Sequence, residues 1–178
     1  MDMNKIFCAP KRAFASSLEM LNAVLRSQLN ISDYTIVKNE NGKPFLSFFD
    51  SSLPQIFISI THTTEYYFIA FCNENVGIDA EPSDRKPNYL PVLSKFYVEE
   101  REEIKNTDDF LKHWTIKESA IKWLGGSIAV DLKKLVFTKG KLLYKNIELP
   151  VKIVQKEIFS HIVSVCAENT NDWEFISI

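Results

Sequence analysis

Asp79 and Glu81 lie two residues apart in Val76-Gly77-Ile78-Asp79-Ala80-Glu81, a run with the character of a strand. Strand alternation puts the two carboxylates on one face and Val76, Ile78 and Ala80 on the other. Neighbouring carboxylates repel unless a proton or cation separates them, and a hard ion such as Mg2+ prefers such oxygens. Two acids near the end of an edge strand are also ordinary surface residues. Glu118 sharpens the choice, because it falls on the stripe Leu111, Trp114, Glu118, Ile121 of a helix, at steps of three and four residues. An unpaired carboxylate is costly in such a place. Lys122, one turn on, or the adjacent Lys117 could pair with it as a helix salt bridge of ~0.3–0.5 kcal/mol. That accounts for Lys122 but not for the inward placement of Glu118, which a third ligand to a shared metal explains better. His62 sits in Ser59-Ile60-Thr61-His62-Thr63, where a strand runs into a tight turn. The hydroxyls of Thr61 and Thr63 suit a phosphate, although a lone histidine can equally be structural.

Other chemistries are disfavoured. No Gly-x-x-x-x-Gly-Lys-Ser/Thr, Gly-x-Gly-x-x-Gly or Gly-x-Ser-x-Gly run is present, which speaks against common nucleotide-binding folds and serine hydrolases. The three histidines lack the spacing of a zinc site. Cys8, Cys72 and Cys166 are far apart, odd in number and set among apolar neighbours, so they read as reduced, structural thiols. The 178 residues, 46% hydrophobic and 25% charged, suit one compact domain or two small packed halves. A net charge of −2 argues against general binding to nucleic acid or anionic membrane. No apolar run reaches the ~18 residues of a membrane span, and Met1 to Lys5 lead into too short an apolar stretch for a secretory signal. The expectation is a cytoplasmic, monomeric protein. Charge is segregated within it, with 11 acidic against 5 basic residues over 65–110 and 3 against 10 over 112–156. Such runs are commonly solvated faces, or else carboxylates meeting a phosphate-binding surface.

The elements that must carry these groups follow from periodicity. Apolar Phe14, Leu18, Leu21, Val24 and Leu25 predict a helix over Ala13–Leu29, with Ser16 and Ser17 on its outer side. A hairpin follows over 34–37 and 44–49 around Asn39-Glu40-Asn41-Gly42, then strands over 57–61 and 66–72. The second half starts with a strand over 75–81. A Pro-marked stretch leads to helical segments, the clearest over Asp109–Gly125 and stopped by Gly125-Gly126. Strands over 135–137, 142–144, 161–167 and 173–178 close the chain, with Lys139-Gly140 as a turn. With residues 4–9 as an opening strand, strand, helix, hairpin and strands thus occur twice. The fold class is α+β, with two similar α/β subdomains, 1–74 and 75–178, in a pseudo-twofold relation and the site in the cleft between them.

Three blocks resemble the 4′-phosphopantetheinyl transferases. Val76-Gly77-Ile78-Asp79-Ala80-Glu81 is similar to the family's Gly-Ile/Val-Asp-x-Glu strand. Trp114-Thr115-Ile116-Lys117-Glu118-Ser119-Ala120-Ile121-Lys122 is similar to its Trp-Ser/Thr-x-Lys-Glu-Ser/Ala-x-x-Lys helix. Gly42-Lys43-Pro44 and the Thr61-His62-Thr63 segment resemble an upstream Gly-Lys-Pro and Ser-His-Ser/Thr pair. The two-part layout resembles the larger, pseudodimeric, Sfp-like class. The resemblance implies Mg2+-dependent transfer of phosphopantetheine from coenzyme A to a serine of an acyl or peptidyl carrier protein. It implies Asp79, Glu81 and Glu118 as metal ligands, and Lys43, Thr61, His62, Lys117 and Lys122 as groups around the coenzyme A phosphates. Glu118, Lys122 and His62 would then be catalytic, with Glu118 or a metal-bound water as the general base. Glu100 resembles a further acidic position. Two features depart from the family: the 34 residues between Asp79 and Trp114 are few, and Ser17 stands near where an arginine is common, with only Lys11 and Arg12 close in sequence. A relative that binds carrier or coenzyme A without turnover is the alternative, and a Mg2+-dependent pyrophosphatase is a third reading.

Overall fold

A computed structural model describes residues 3–49, 54–168 and 172–178, so Met1 and Asp2 of the segment weighed above as a signal lie outside it. The chain opens with β1 (Lys5–Pro10), a 3-10 turn and α1 (Ser17–Ser27). The hairpin β2 (Tyr34–Lys38) and β3 (Pro44–Phe48) follows, then β4 (Phe57–His62) and β5 (Tyr66–Cys72). Next come β6 (Val76–Pro82), α2 (Leu90–Leu93), α3 (Val98–Glu103), α4 (Thr107–Leu124) and α5 (Ile128–Asp131). A meander of β7 (Leu135–Thr138), β8 (Lys141–Tyr144) and β9 (Ile147–Glu148) leads to β10 (Lys152–Ile158), β11 (His161–Ala167) and β12 (Glu174–Ser177). The fold is α+β. One sheet has the order β12-β1-β5-β4 and another β10-β11-β6. Both contain an antiparallel set in which the opening strand pairs with the last of the returning two, β1-β5-β4 and β6-β11-β10. The final strand crosses the expected boundary at residue 74: β12 runs parallel to β1, with Lys5 opposite Glu174 and their side chains paired at 2.7 Å.

Alternation sorts each strand's side chains into layers. Ile6, Cys8, Phe68 and Ala70 of the first sheet meet Val76, Ile78, Ala80, Val163 and Val165 of the second in a shared core. Phe7, Ile69 and Phe71 face the other way, onto Met20, Leu21, Val24 and Leu25 of α1. Ile162 and Cys166 face Leu111, Ile116, Ala120 and Ile121 of α4. The layers therefore run helix, sheet, sheet, helix. Asp79 and Glu81, out of phase with Val76, Ile78 and Ala80, are on the side of β6 that meets α4. All three cysteines are buried, and burial pushes the Cys8 thiol up to about 11 and that of Cys166 to about 12. Among the described residues no helix is long and apolar enough to cross a membrane.

Local chemistry explains where the helices begin. Ser16, exposed as expected, is the N-cap of α1, its Oγ accepting from the Glu19 N–H at 3.1 Å. Met20 is buried in place of Leu18, which is half exposed. Asn106 caps α4, which begins two residues before the expected start, through a 3.0 Å bond from the Asp109 N–H to Oδ1. Gly125 ends the helix in the left-handed region at φ 66°, where glycine carries no Cβ penalty. Asn106→Ala should cost about 1 kcal/mol, read as a lower urea midpoint with an unchanged slope. Two strands escape the periodicity. β9 is only two residues long, and β10 is a charged edge strand joined to β11 by Phe159-Ser160, both at positive φ without a glycine.

Candidate active site

The edge strands β4 and β6 of the two sheets lie side by side, and side chains bridge them. The Ile78 N–H donates to Ser59 Oγ at 3.1 Å, and Thr61 Oγ1 donates to Asp79 Oδ1 at 3.0 Å. From α4, Lys122 Nζ reaches the same Asp79 oxygen at 2.7 Å and the Ile78 carbonyl at 3.0 Å. Asp79 is buried, and three elements converge on it. Glu81, two residues along the same face, pairs with Arg85 and accepts from the Trp114 side chain. Its pKa is raised, chiefly by burial; Arg85 opposes the rise and Asp79 adds to it. Glu118 is raised further, to about 8, by burial and then by Asp79, against the pull of Lys122, with Glu81 adding to the rise. The Asp79 carboxylate thus disfavours the charge of both Glu81 and Glu118.

Among the described residues no three His, Cys, Asp or Glu side chains form a group that could hold a metal ion. Asp79 is turned onto Thr61 and Lys122, and Glu81 onto Arg85. The donor chemistry nonetheless fits a hard cation, since a divalent ion would offset the burial, and the added repulsion from Asp79, that raise Glu118 and Glu81.

A cleft of about 750 Å³ opens beyond Glu81, lined by Lys11, His62, Thr63, Glu81, Arg85 and His161. His62 is exposed there, its Nδ1 3.3 Å from Lys11 Nζ and its ring edge-on to Tyr67. Two groups able to carry positive charge thus stand together, which suits an anion. Buried His161 holds the opposite wall, with Nε2 3.0 Å from Thr63 Oγ1, while Phe159 stacks on Tyr66. Lys11 and Arg85 were absent from the expected site. Arg85 follows Glu81 by four residues in an irregular stretch, and Lys11 lies in the first turn of the chain. Neither shows periodicity that would mark it.

Two expected phosphate ligands have other partners. Lys117 is fully buried, and its Nζ bonds both oxygens of fully buried Glu100 at 2.7 and 2.8 Å over the ring of Phe96. Glu100 also accepts from the backbone N–H groups of Tyr97 and Phe137, so this pair fastens α3 and β7 to α4. Lys43 is likewise buried and donates to the Asn75 side chain and, at 3.1 Å, to the Trp123 carbonyl. The structure brings Thr61, Asp79, Glu81, Glu118 and Lys122 together and puts His62 at the mouth of the adjoining cleft.

Residues 75–166, more than half of the 178, match the model of the 4′-phosphopantetheinyl transferase superfamily. The chain belongs to that superfamily. The matched span holds β6 and α4, and so Asp79, Glu81, Glu118 and Lys122; Thr61 and His62 lie before it. Among relatives, the 4′-phosphopantetheinyl transferase gsp of Aneurinibacillus migulanus is 29% identical over 153 residues, covering 79% of this chain and 61% of that protein. The 4′-phosphopantetheinyl transferase Sfp of Bacillus subtilis is 28% identical over 130 residues, 69% of this chain and 55% of its own length. The human L-aminoadipate-semialdehyde dehydrogenase-phosphopantetheinyl transferase is 24% identical over 187 aligned residues, 96% of this chain and 58% of that protein. The chain thus spans little more than half the length of these superfamily members.

Proposed function

We propose that this protein transfers the 4′-phosphopantetheine group of coenzyme A to a serine hydroxyl of an apo acyl or peptidyl carrier protein and releases adenosine 3′,5′-bisphosphate. The observation that carries this reading is the convergence on Asp79: Thr61 from the first sheet, Lys122 from α4 and the proton-retaining carboxyl of Glu118 beside them. Asp79, Glu81 and Glu118 would hold Mg2+, which when bound supplies positive charge to the pyrophosphate. Lys122, His62 and Lys11 bind phosphate oxygens, and Thr61 orients Asp79. The serine Oγ forms a bond to the phosphorus that carries pantetheine. The bond from that phosphorus to the bridging oxygen breaks, and the leaving nucleotide keeps the electron pair. The serine proton passes to ionised Glu118; bound Mg2+ would favour that ionised form by offsetting the burial and the Asp79 charge that raise its pKa in the metal-free chain.

Calorimetric titration with coenzyme A tests the assignment of ligands. Binding should tighten at least ~10-fold when Mg2+ is added, and Asp79→Ala should abolish that increment. Equal affinity with and without Mg2+ would refute the metal assignment. It would also favour the alternative of a non-catalytic binder, for which the Asp79–Lys122 ion pair speaks. The carrier would meet the basic region, where Lys133, Lys139, Lys145, Lys152 and Lys156 are exposed. Exposed charges act on encounter and are screened beyond about 8 Å at physiological salt. Stopped-flow association with an acidic carrier should therefore slow roughly tenfold from low to high salt, and a flat response would remove these lysines from the interface.

A further inference from the structure

The hairpin β2–β3 reaches across to the end of α4. Asn39 Nδ2 and Asn41 Nδ2 donate to the Gly125 carbonyl at 3.1 and 2.9 Å. Lys43 Nζ and Asn75 Nδ2 both donate to the Trp123 carbonyl, at 3.1 and 2.7 Å, and Lys43 also bonds the Asn75 side-chain oxygen. The last carbonyls of a helix lack partners within it, and its C-terminal end carries partial negative charge. Here the hairpin loop supplies three donors, one of them a cation, and Asn75, just before β6, supplies a fourth. Lys43 lines neither the cleft beside His62 nor the 610 Å³ cavity between α1 and the hairpin, although Gly42 and Pro44 on either side of it line the latter. Its Cα neighbours thus face open space while its ammonium is spent on α4.

Lys122 belongs to the turn so held, and its ammonium must reach Asp79 at 2.7 Å. We propose that Lys43, with Asn39 and Asn41, is a positioning residue that clamps the last turn of α4 and so sets Lys122 against Asp79, and that it is not a ligand to a coenzyme A phosphate. Burial also lowers the Lys43 pKa to about 8, which fits an ammonium withdrawn from solvent rather than one presented to an anion.

The kinetic side of this proposal rests on the transferase reading; the backbone side does not. Hydrogen exchange at the amides of residues 121–126 should quicken ~10-fold in Lys43→Met and in the milder Asn39→Ala/Asn41→Ala variant, because each removes capping bonds. In Lys43→Met, kcat should fall ~10-fold with KM for coenzyme A within about threefold of wild type, the pattern of a group that acts on the transition state alone. Lys43→Arg should restore kcat. Unchanged exchange in both variants would overturn the clamp. So would a Lys43→Met protein whose coenzyme A affinity collapses while the 121–126 amides stay protected. A wild-type chain that transfers nothing would sink the transferase reading, and the exchange pattern would then decide the clamp by itself.

Discussion

Glu118→Gln is expected to slow phosphopantetheine transfer ~10²- to 10⁴-fold, the usual contribution of a general base, while the protein folds and binds coenzyme A. The same substitution should change how stability depends on pH in the metal-free protein. In the folded chain Glu118 holds its proton up to about pH 8, against an ordinary value of 4.5, so between those values the folded state binds more protons than the unfolded one. Stability contributed by the protonated form is therefore full below 4.5 and is lost as pH rises toward 8. Glutamine has no such proton to lose. With chelator present, the melting temperature of the wild type should fall relative to that of the variant across this window, and the two curves should converge at its acid end. Parallel melting curves from pH 4.5 to 8 would show that neither burial nor Asp79 holds a proton on Glu118.

Gly77→Ala should be the most damaging single-methyl change in the fold. A Cβ at Gly77 would lie 1.9 Å from the Ser119 carbonyl oxygen and 2.5 Å from the Trp123 backbone nitrogen. Both contacts are backbone atoms of α4, so no side chain can swing aside, and the helix must lift from β6. That separates Lys122 from Asp79 and opens the core beneath Leu111, Ala120 and Ile121. We expect a loss of at least about 4 kcal/mol, beyond ordinary overpacking because the clash is with a fixed element. Gly140→Ala is the control: no heavy atom stands within 4 Å of its Cβ position, and only φ +75° opposes it. It should cost about 1 kcal/mol. Urea denaturation of the two variants would expose an error here if their midpoints fell together.

The strand that carries Asp79 and Glu81 was legible because strict alternation sets Val76, Ile78 and Ala80 against them. Helix α4 was legible because a long periodic run ends in a glycine pair, although its Asn106 cap was not read. β10 was not. Its Val154 and Ile158 pack toward the shared core and Ile153 toward α4, but Lys152, Lys156 and Glu157 interrupt the pattern of an edge strand. The turn after it lacks the glycine or asparagine that positive φ usually selects. Within the site, Glu118 and Lys122 share a helical face because they are four residues apart. Lys117 is one residue away and thus about 100° around the helix, which carries it to the face buried against Glu100. Adjacency in a motif is not adjacency in space. Lys43 was hidden for a different reason: nothing local to Gly42-Lys43-Pro44 reveals that Trp123, eighty residues on, holds its ammonium.

The most direct measurement is the mass of the carrier. The purified chain, coenzyme A and Mg2+ are incubated with apo acyl and peptidyl carriers, and each carrier is weighed intact. At least one carrier should gain the mass of a single phosphopantetheine on its serine, with an equal amount of adenosine 3′,5′-bisphosphate released, and both should form at least ~10²-fold more slowly with Glu118→Gln. Carriers of unchanged mass, beside wild-type protein that is folded and saturated with coenzyme A and Mg2+, would contradict the account.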